Sequence, residues 1–427
     1  DARKVSLSLI NRAAVTDDKG NHRLAMMLFR EPGCRRCVPH HRHHGQFPRG
    51  VLRHLAIELK DVLGPERFNQ GEGPLIRGSH WRNFLVKYSE SNRMHKKALA
   101  LSALCRDRGE PKEARRALGE AQCNDAYWHG VFGGLYLRHL RDSIWQRLSE
   151  AEGRLRAGEA LVCEEVDLDL DGHKELWVHS ESFSALVSPV RGGVIEELTL
   201  FRHGINLANT LTRRREPYHE IADSKQDSSS HHHSDQDGGE SETAPSIHDL
   251  EGALTFKALP PVDREDRALF LDRILPGDLE LSDYREGRYD PLLDLAQRNL
   301  HVLSVEEGEA PKETTQEGLP IEWLEICLGW EESGSLEKRI RFGVDGTVEV
   351  LYNWTPDDFP EGAFFTTELS LGGEAEVLSV PEADTWRFPI STFSKSEKGF
   401  DETVQGESVT IRWPVETGWG RVRIRRP

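Results

Sequence analysis

The chain has 427 residues, of which 37% are hydrophobic and 8% aromatic, and it carries a net charge of −17 at neutral pH. That length allows two or three domains, each with its own core, while the lack of any apolar run of 18 residues excludes a membrane-spanning helix. The acidity argues against a nucleic-acid binder, which needs a basic face.

Asp1 to Ile10 holds no apolar signal-peptide core, and a start on Asp1 fits a fragment or a processed product. Residues 1–50 carry ten Lys and Arg against four Asp and Glu, so they hold +6 and the remainder −23. They sustain no helical or strand period and read as an atypical segment, disordered or foreign to the rest of the chain. Their Cys34-x-x-Cys37-x-x-His40-x-x-x-His44 run has zinc-ligand residue types. The gap between Cys37 and His40 is nevertheless far short of the ~12 residues of a finger, and no hydrophobic mini-core surrounds it, so it reads as a chance cluster. The six cysteines (Cys34, Cys37, Cys105, Cys123, Cys163, Cys327) are too scattered for a disulfide framework, which makes a reducing cytoplasm the simplest setting.

A helical bundle is expected over 51–157. Val51, Leu52, Leu55, Ile57, Leu59 and Leu63 predict an amphipathic helix stopped by Gly64-Pro65. Further helices are predicted for Asn92 to Arg106 and for Lys112 to Cys123, with Pro111 near the first turn. Another is predicted for Leu135 to Leu155, where Leu137, Leu140, Ile144 and Leu148 share one face. Gly153 and Gly158 close this region. His95 and His139 fall in helical stretches and read as structural.

From about residue 158 the period becomes two, and a large antiparallel β-sandwich is expected over 158–427. The runs KELWVHS, SALVSPV, GVIEELTL, IEWLEICLGW, KRIRFGV, TVEVLYNW, SVTIRWPV and RVRIRR predict strands between Gly, Pro, Asp and Ser punctuation. Asp345-Gly346 predicts a hairpin in which Ile340, Phe342 and Val344 answer Val348, Val350, Tyr352 and Trp354. Residues 224–245 are low-complexity and read as a disordered loop that includes His231 to His233. Asp167-x-Asp169-x-Asp171-Gly172-x-x-Glu175 places alternate carboxylates, a turn glycine and a later acid where they can wrap Ca²⁺ in oxygen ligands. The His173 carbonyl is a further expected ligand, and a solvated acidic turn is the alternative. No nucleophile elbow, P-loop or dinucleotide fingerprint occurs, so no organic cofactor is expected.

Two helical segments are unusually aromatic and polar: RGSHWRNFLVKYSESNRMHKKAL from Arg77 to Leu99, and QCNDAYWHGVFGGLYLRHLR from Gln122 to Arg141. Together they resemble the region after the catalytic barrel in family-57 glycoside hydrolases, the α-amylases and 4-α-glucanotransferases. VDLDLDGHKELWV, RRREPYHEIAD with SIHDL, and FPISTFSKSEKGFDETVQG resemble the sandwich that comes next in that family. The resemblance runs from about Asp61 onward. It implies an α+β multidomain protein whose sandwich is a galactose-mutarotase-like supersandwich, and α-1,4-glucans (starch, glycogen, maltooligosaccharides) as partners. It also implies that the catalytic Glu and Asp belong to a preceding barrel. Only about 60 residues precede the resemblance here, so the chain alone is expected to be inactive, and an out-of-frame or foreign start would explain residues 1–50. A homodimer is compatible with the sequence.

Glucan binding needs flat aromatic faces for pyranose rings, with amides and carboxylates nearby for hydroxyls. Trp81, Tyr127 and Trp128 are the candidate faces. Asn83, Asn124, Asp125 and His129 are the candidate polar contacts, and Gly130, Gly133 and Gly134 permit close backbone approach. Resemblance implies that this region borders the substrate cleft; the alternative is that these aromatics only glue the bundle to its neighbours. The functional alternatives are a non-catalytic glucan-binding or scaffold protein, or the product of a decayed or misread gene.

Overall fold

The computed structural model describes residues 81–129, 133–216, 218–219, 259–309, 322–330, 336–396 and 399–426. The expectations for residues 1–50, for the helix at 51–63, for the Cys34 to His44 cluster, for Gly130 and for the loop at 224–245 lie outside them. The chain divides into two compact units, Asp1–Tyr88 and Ser89–Pro427. The described part of the first is helix α1 (Trp81–Lys87), whose Phe84 ring lies 4.4 Å from that of Tyr88.

The second unit opens with α2 (Ser89–Asp107), α3 (Lys112–Glu120) and α4 (Arg138–Leu155). Strands come next: β1 (Val162–Val166), β2 (Glu175–His179), β3 (Phe183–Ser188), β4 (Val194–Leu200), β5 (Ile205–Asn206) and β6 (Leu269–Leu275). After the short helix α5 (Leu281–Arg285) come β7 (Leu293–Asp294), β8 (His301–Glu309), β9 (Glu322–Trp330), β10 (Leu336–Gly343) and β11 (Val348–Trp354). The last are β12 (Phe364–Leu371), β13 (Glu376–Val380), β14 (Asp384–Ser396), β15 (Gly399–Pro414) and β16 (Trp419–Arg425). A helical region and then antiparallel strands is the order that the change of period predicts. The change near 158 nevertheless falls inside one compact unit.

The strands form two antiparallel sheets. The larger runs β1-β2-β3-β4-β6-β12-β15-β14, with β5 on β4 and β7 on β6; the smaller runs β13-β16-β11-β10-β9-β8. Their facing sides make one apolar core, with Phe183, Leu198, Ile274, Leu369 and Ile411 from the larger sheet and Ile326, Ile340, Val350 and Val422 from the smaller. The expected β10–β11 hairpin forms, with Ile340 opposing Val350 and Phe342 opposing Val348, but Val344 falls in the turn beside Gly346 at φ +84° rather than in the strand. A buried ion pair crosses this core, because Lys338 Nζ donates to Asp272 Oδ2 at 2.7 Å and the Tyr352 hydroxyl donates to Asp272 Oδ1 at 2.9 Å.

The far side of the larger sheet is also covered, which is why β2, β3, β4 and β6 are buried along their whole length. The cover is polar. Lys97 of α2 stands 2.8 Å from both Glu152 of α4 and Glu197 of β4, and all three are at most 2% exposed. Such a triad survives burial only because each charge keeps its partners. It binds the helices to the sheet.

Three helix ends differ from expectation by three residues: α2 already starts at Ser89 rather than Asn92, and the other two share one local reason. α3 stops at Glu120 rather than Cys123 because a 3₁₀ turn, Asn124–Tyr127, comes after it, and its Tyr127 hydroxyl donates to the Ala121 carbonyl at 2.8 Å. α4 starts at Arg138 rather than Leu135 because Gly133 (φ +86°) and Gly134 (φ +48°) lead into a second 3₁₀ turn, Gly134–Tyr136. A Cβ on Gly134 would lie 2.0 Å from the Trp128 carbonyl oxygen, so the loop closes only around glycine.

Candidate glucan-contacting rim and acidic loop

The segment between α3 and α4 is folded back on itself, with Leu135 N–H donating to Trp128 O at 2.9 Å. It leaves Asn124, Asp125 and Trp128 exposed on one turn, Trp128 at 49%. Tyr127 is different. Its ring is buried, its hydroxyl is spent on Ala121, and its carbonyl accepts from Ser91 Oγ, so it packs the bundle and offers no face to a sugar. His129 is half-buried, its ring 4.6 Å from Tyr136 and 5.8 Å from Tyr218. Trp81 is the first residue of α1 and Asn83 lies in the same helix; both belong to the other unit.

Residues that spacing alone did not single out complete this rim. The Tyr136 hydroxyl donates to Glu216 Oε1 at 2.8 Å. The Tyr218 ring lies 6.0 Å from that of Phe400, tilted by 37°, and its hydroxyl donates to the Phe393 carbonyl at 3.3 Å. Glu216 N–H donates to His219 Nδ1 at 3.2 Å, which places the imidazole proton on Nε2, 3.2 Å from the same Phe393 carbonyl. Gln405 ties the set together, donating to the Tyr136 carbonyl at 2.9 Å and to Thr392 at 2.6 Å while accepting from buried Arg141 at 2.6 Å. Burial pushes the Arg141 pKa down to about 10. The described parts of the segments 122–141, 213–223 and 388–406 thus build one rim together. The signal was present in the sequence, since all three carry the resemblance, but nothing in their spacing says that they meet.

Glu90 of α2 adds to this set: it accepts from Thr212 N–H at 2.9 Å and from Arg214 at 2.8 Å. Burial alone would raise its pKa. Arg214 and Arg93 override that and hold it near 2.

The acidic run forms a tight loop between β1 and β2. Asp167, Asp169 and Glu175 each bring a carboxylate oxygen within 4.8 Å of the others. Asp171 does not join this set; it is exposed and its Oδ1 accepts from His173 N–H at 2.7 Å. The loop is shaped by carboxylates accepting backbone protons: Asp171 N–H to Asp169 at 3.1 Å, Gly172 N–H to Asp167 at 3.2 Å and Leu168 N–H to Glu175 at 2.8 Å. Gly172 (φ +102°) makes the turn. Asn92 of α2 anchors the loop by donating to the Asp169 carbonyl at 2.9 Å. Burial, followed by the neighbouring acids, pushes Glu175 up to about 8 and Asp169 up to about 6. Asp167 Oδ1 is buried without a hydrogen-bond partner. These are hard oxygen donors with mutual repulsion still to be relieved, and that donor set suits a divalent cation such as Ca²⁺.

Residues 79–155 match the family described as "Alpha-amylase/4-alpha-glucanotransferase, middle domain", and residues 167–377 and 361–424 match "Alpha-amylase/4-alpha-glucanotransferase, C-terminal". Over 386 residues the chain is 33% identical to a 4-alpha-glucanotransferase of Thermococcus kodakarensis, covering 87% of this chain and 55% of that protein. Over 385 residues it is 32% identical to an alpha-amylase of Pyrococcus abyssi, covering 86% and 54%. The crystal structure of the 4-alpha-glucanotransferase from Thermococcus litoralis superposes with a TM-score of 0.60 at 28% identity, covering 88% of this chain and 57% of the other. The chain therefore spans about half the length of the curated relatives it matches. With its helical region, its two sheets and its motif segments all accounted for by these matches, the chain belongs to the alpha-amylase/4-alpha-glucanotransferase family, glycoside hydrolase family 57.

Proposed function

We propose that these residues serve α-1,4-glucan chemistry as the part of a family enzyme that contacts and positions the glucan, with Trp128 as the stacking face and Asn124, Asp125 and His129 around it. One observation carries this reading: an indole half-open to solvent on a turn that three motif segments hold rigid. Exposed aromatic surface costs free energy unless a ligand covers it, and a fixed mount lowers the entropy lost on binding. Glycoside cleavage needs two carboxyl groups about 5–5.5 Å apart for retention; we assign the acid–base pair to residues outside the matched segments. The finer fold proposed for the two sheets is the galactose-mutarotase-like supersandwich. The loop at 167–175 is proposed as a structural Ca²⁺ site held by Asp167, Asp169 and Glu175.

The test is the purified chain run on native gels containing amylose and assayed for reducing sugar and for redistribution of maltooligosaccharide lengths. Retardation by amylose with no turnover is expected. Mobility unchanged by amylose would remove the glucan reading. Turnover that co-purifies with the chain through every step and disappears when one of its own carboxylates is replaced would place the chemistry here instead.

A further inference from the structure

Where the C-terminal half of α2 passes the edge strand β1, a cleft of about 320 Å³ opens on the side of the second unit. Ala100 and Leu104 of α2 give it an apolar wall, and Val162 of β1 lies beside His179 on the sheet side, opposite that residue across the β1–β2 ladder. The opposite wall is polar and immobilised. Trp177 of β2 donates from Nε1 to Ser184 at 2.7 Å, and the charged heads of Lys97 and Arg156 each lie 4.6 Å from its ring centre. Arg156 is itself gripped by Glu152 at 2.9 Å and Glu159 at 2.8 Å. His179 stands edge-on to Trp177 at 5.6 Å, is 2% exposed and lines the cleft.

The partner of His179 fixes its proton. A guanidinium only donates, and Arg156 lies 2.9 Å from Nδ1, so Nδ1 accepts and the proton sits on Nε2. Burial, reinforced by the Arg156 charge, pushes the imidazole pKa down to about 3, so the ring stays neutral. Yet Nε2 is buried with no hydrogen-bond partner. The carboxylate of Glu164 is 3.7 Å away, beyond hydrogen-bond reach. A buried donor left unpaired is costly, and the cleft is where a partner can be supplied.

The charges around it cancel, with Arg108 and Arg156 set against Glu159 and Glu164, so an ion of either sign is not favoured. What fits is a neutral group that accepts from Nε2–H, donates to the Glu164 carboxylate, and rides on a ring with an apolar side for Ala100 and Leu104. A hydroxyl on a pyranose has these properties. We propose that this cleft is a second carbohydrate site, distinct from the Trp128 rim, which takes one glucosyl residue of an α-glucan with a hydroxyl bound between His179 Nε2 and Glu164. The choice of an α-glucan rests on the reading given under Proposed function; the cleft shares no residue with the rim.

Calorimetric titration of maltotriose into the full chain and its variants separates the two. Ala100 is half-buried on α2 and takes no part in the ion network, so Ala100→Trp fills the cleft and should leave melting unchanged. Glu164→Gln, on an exposed side chain, replaces the charged acceptor by a weaker neutral amide without adding bulk. Trp128→Ala is expected to retain a binding event, and adding Ala100→Trp should weaken that event by about tenfold or more; adding Glu164→Gln should weaken it several-fold. If wild type binds maltotriose and Trp128→Ala does not, the cleft is overturned and the α-glucan reading stands. If Trp128→Ala binds and neither cleft substitution changes its affinity, the cleft is likewise overturned and solvent satisfies His179. No binding by wild type overturns both.

Discussion

The Tyr136 hydroxyl donates to Glu216 Oε1 at 2.8 Å, and both side chains are buried. This single bond joins two segments 80 residues apart in the sequence, one on the turn that mounts Trp128 and the other on the strap that carries Tyr218. Tyr136→Phe keeps the ring that packs on His129 and removes only the donor. It should destabilise the chain by about 1–3 kcal/mol, read as a lower urea midpoint with unchanged slope, and should weaken glucan binding through loss of the fixed mount. An unchanged midpoint would show that the bond does not hold the strap.

Lys97 lies between Glu152 and Glu197, with all three buried. Lys97→Met fills similar volume but leaves two carboxylates without their shared cation, which should cost about 3–5 kcal/mol. Lys97→Met combined with Glu152→Gln and Glu197→Gln should recover most of that loss. Failure of the triple variant to recover would assign the cost to packing rather than to charge.

How far the fold could be read in the sequence depends on what covers each element. The β10–β11 hairpin was legible because one of its faces is solvated, which gives clean alternation around Asp345-Gly346. Strand β6, LFLDRIL, was not singled out. It is buried on both faces, with Asp272 turned toward Lys338 in the core and Arg273 toward Glu368 on the far side, so its charges mask the strand pattern. The helix–sheet layer was hidden for the same reason: Lys97, Glu152 and Glu197 look like solvated residues until their partners are known. In the candidate rim, Trp128 was legible from its motif, whereas Tyr127, next to it, points into the bundle. The partners Glu216, Tyr218 and Gln405 come from distant segments, and local spacing carries no information about them.

Stability should fall in acid over a defined window. Burial would raise Glu90, Asp263 and Glu368, but their arginines override it: Arg214 and Arg93 at Glu90, Arg267 and Arg213 at Asp263, Arg267 and Arg273 at Glu368. All three are held near 2 in the folded chain, against 4.5 for Glu and 3.8 for Asp. Their contribution is therefore complete above about pH 5 and is lost progressively as pH falls toward 2. Melting temperature followed from pH 7 to pH 2.5 should hold level and then drop through that window, and Glu368→Gln should make the drop shallower.

The acidic loop titrates in the opposite sense. Glu175, pushed up to about 8, is largely protonated at pH 7 without metal, and a cation must displace that proton. Ca²⁺ titrations in buffers of different ionisation enthalpy should show proton release at pH 7 and affinity rising toward pH 8. Calcium should raise the melting temperature of wild type, a chelator should reverse the effect, and Asp169→Ala should abolish it. Equal melting of wild type with Ca²⁺ and with chelator would return the loop to an acidic turn.

The most direct measurement is the affinity of the chain for maltoheptaose, wild type against Trp128→Ala. Trp128 is 49% exposed, and covering roughly 50–100 Å² of its ring with a sugar should stabilise the complex by about 1–2.5 kcal/mol. Trp128→Ala is therefore expected to weaken binding by about five- to seventyfold while melting at the wild-type temperature. Equal dissociation constants for the two proteins would contradict the assignment of this rim to the glucan.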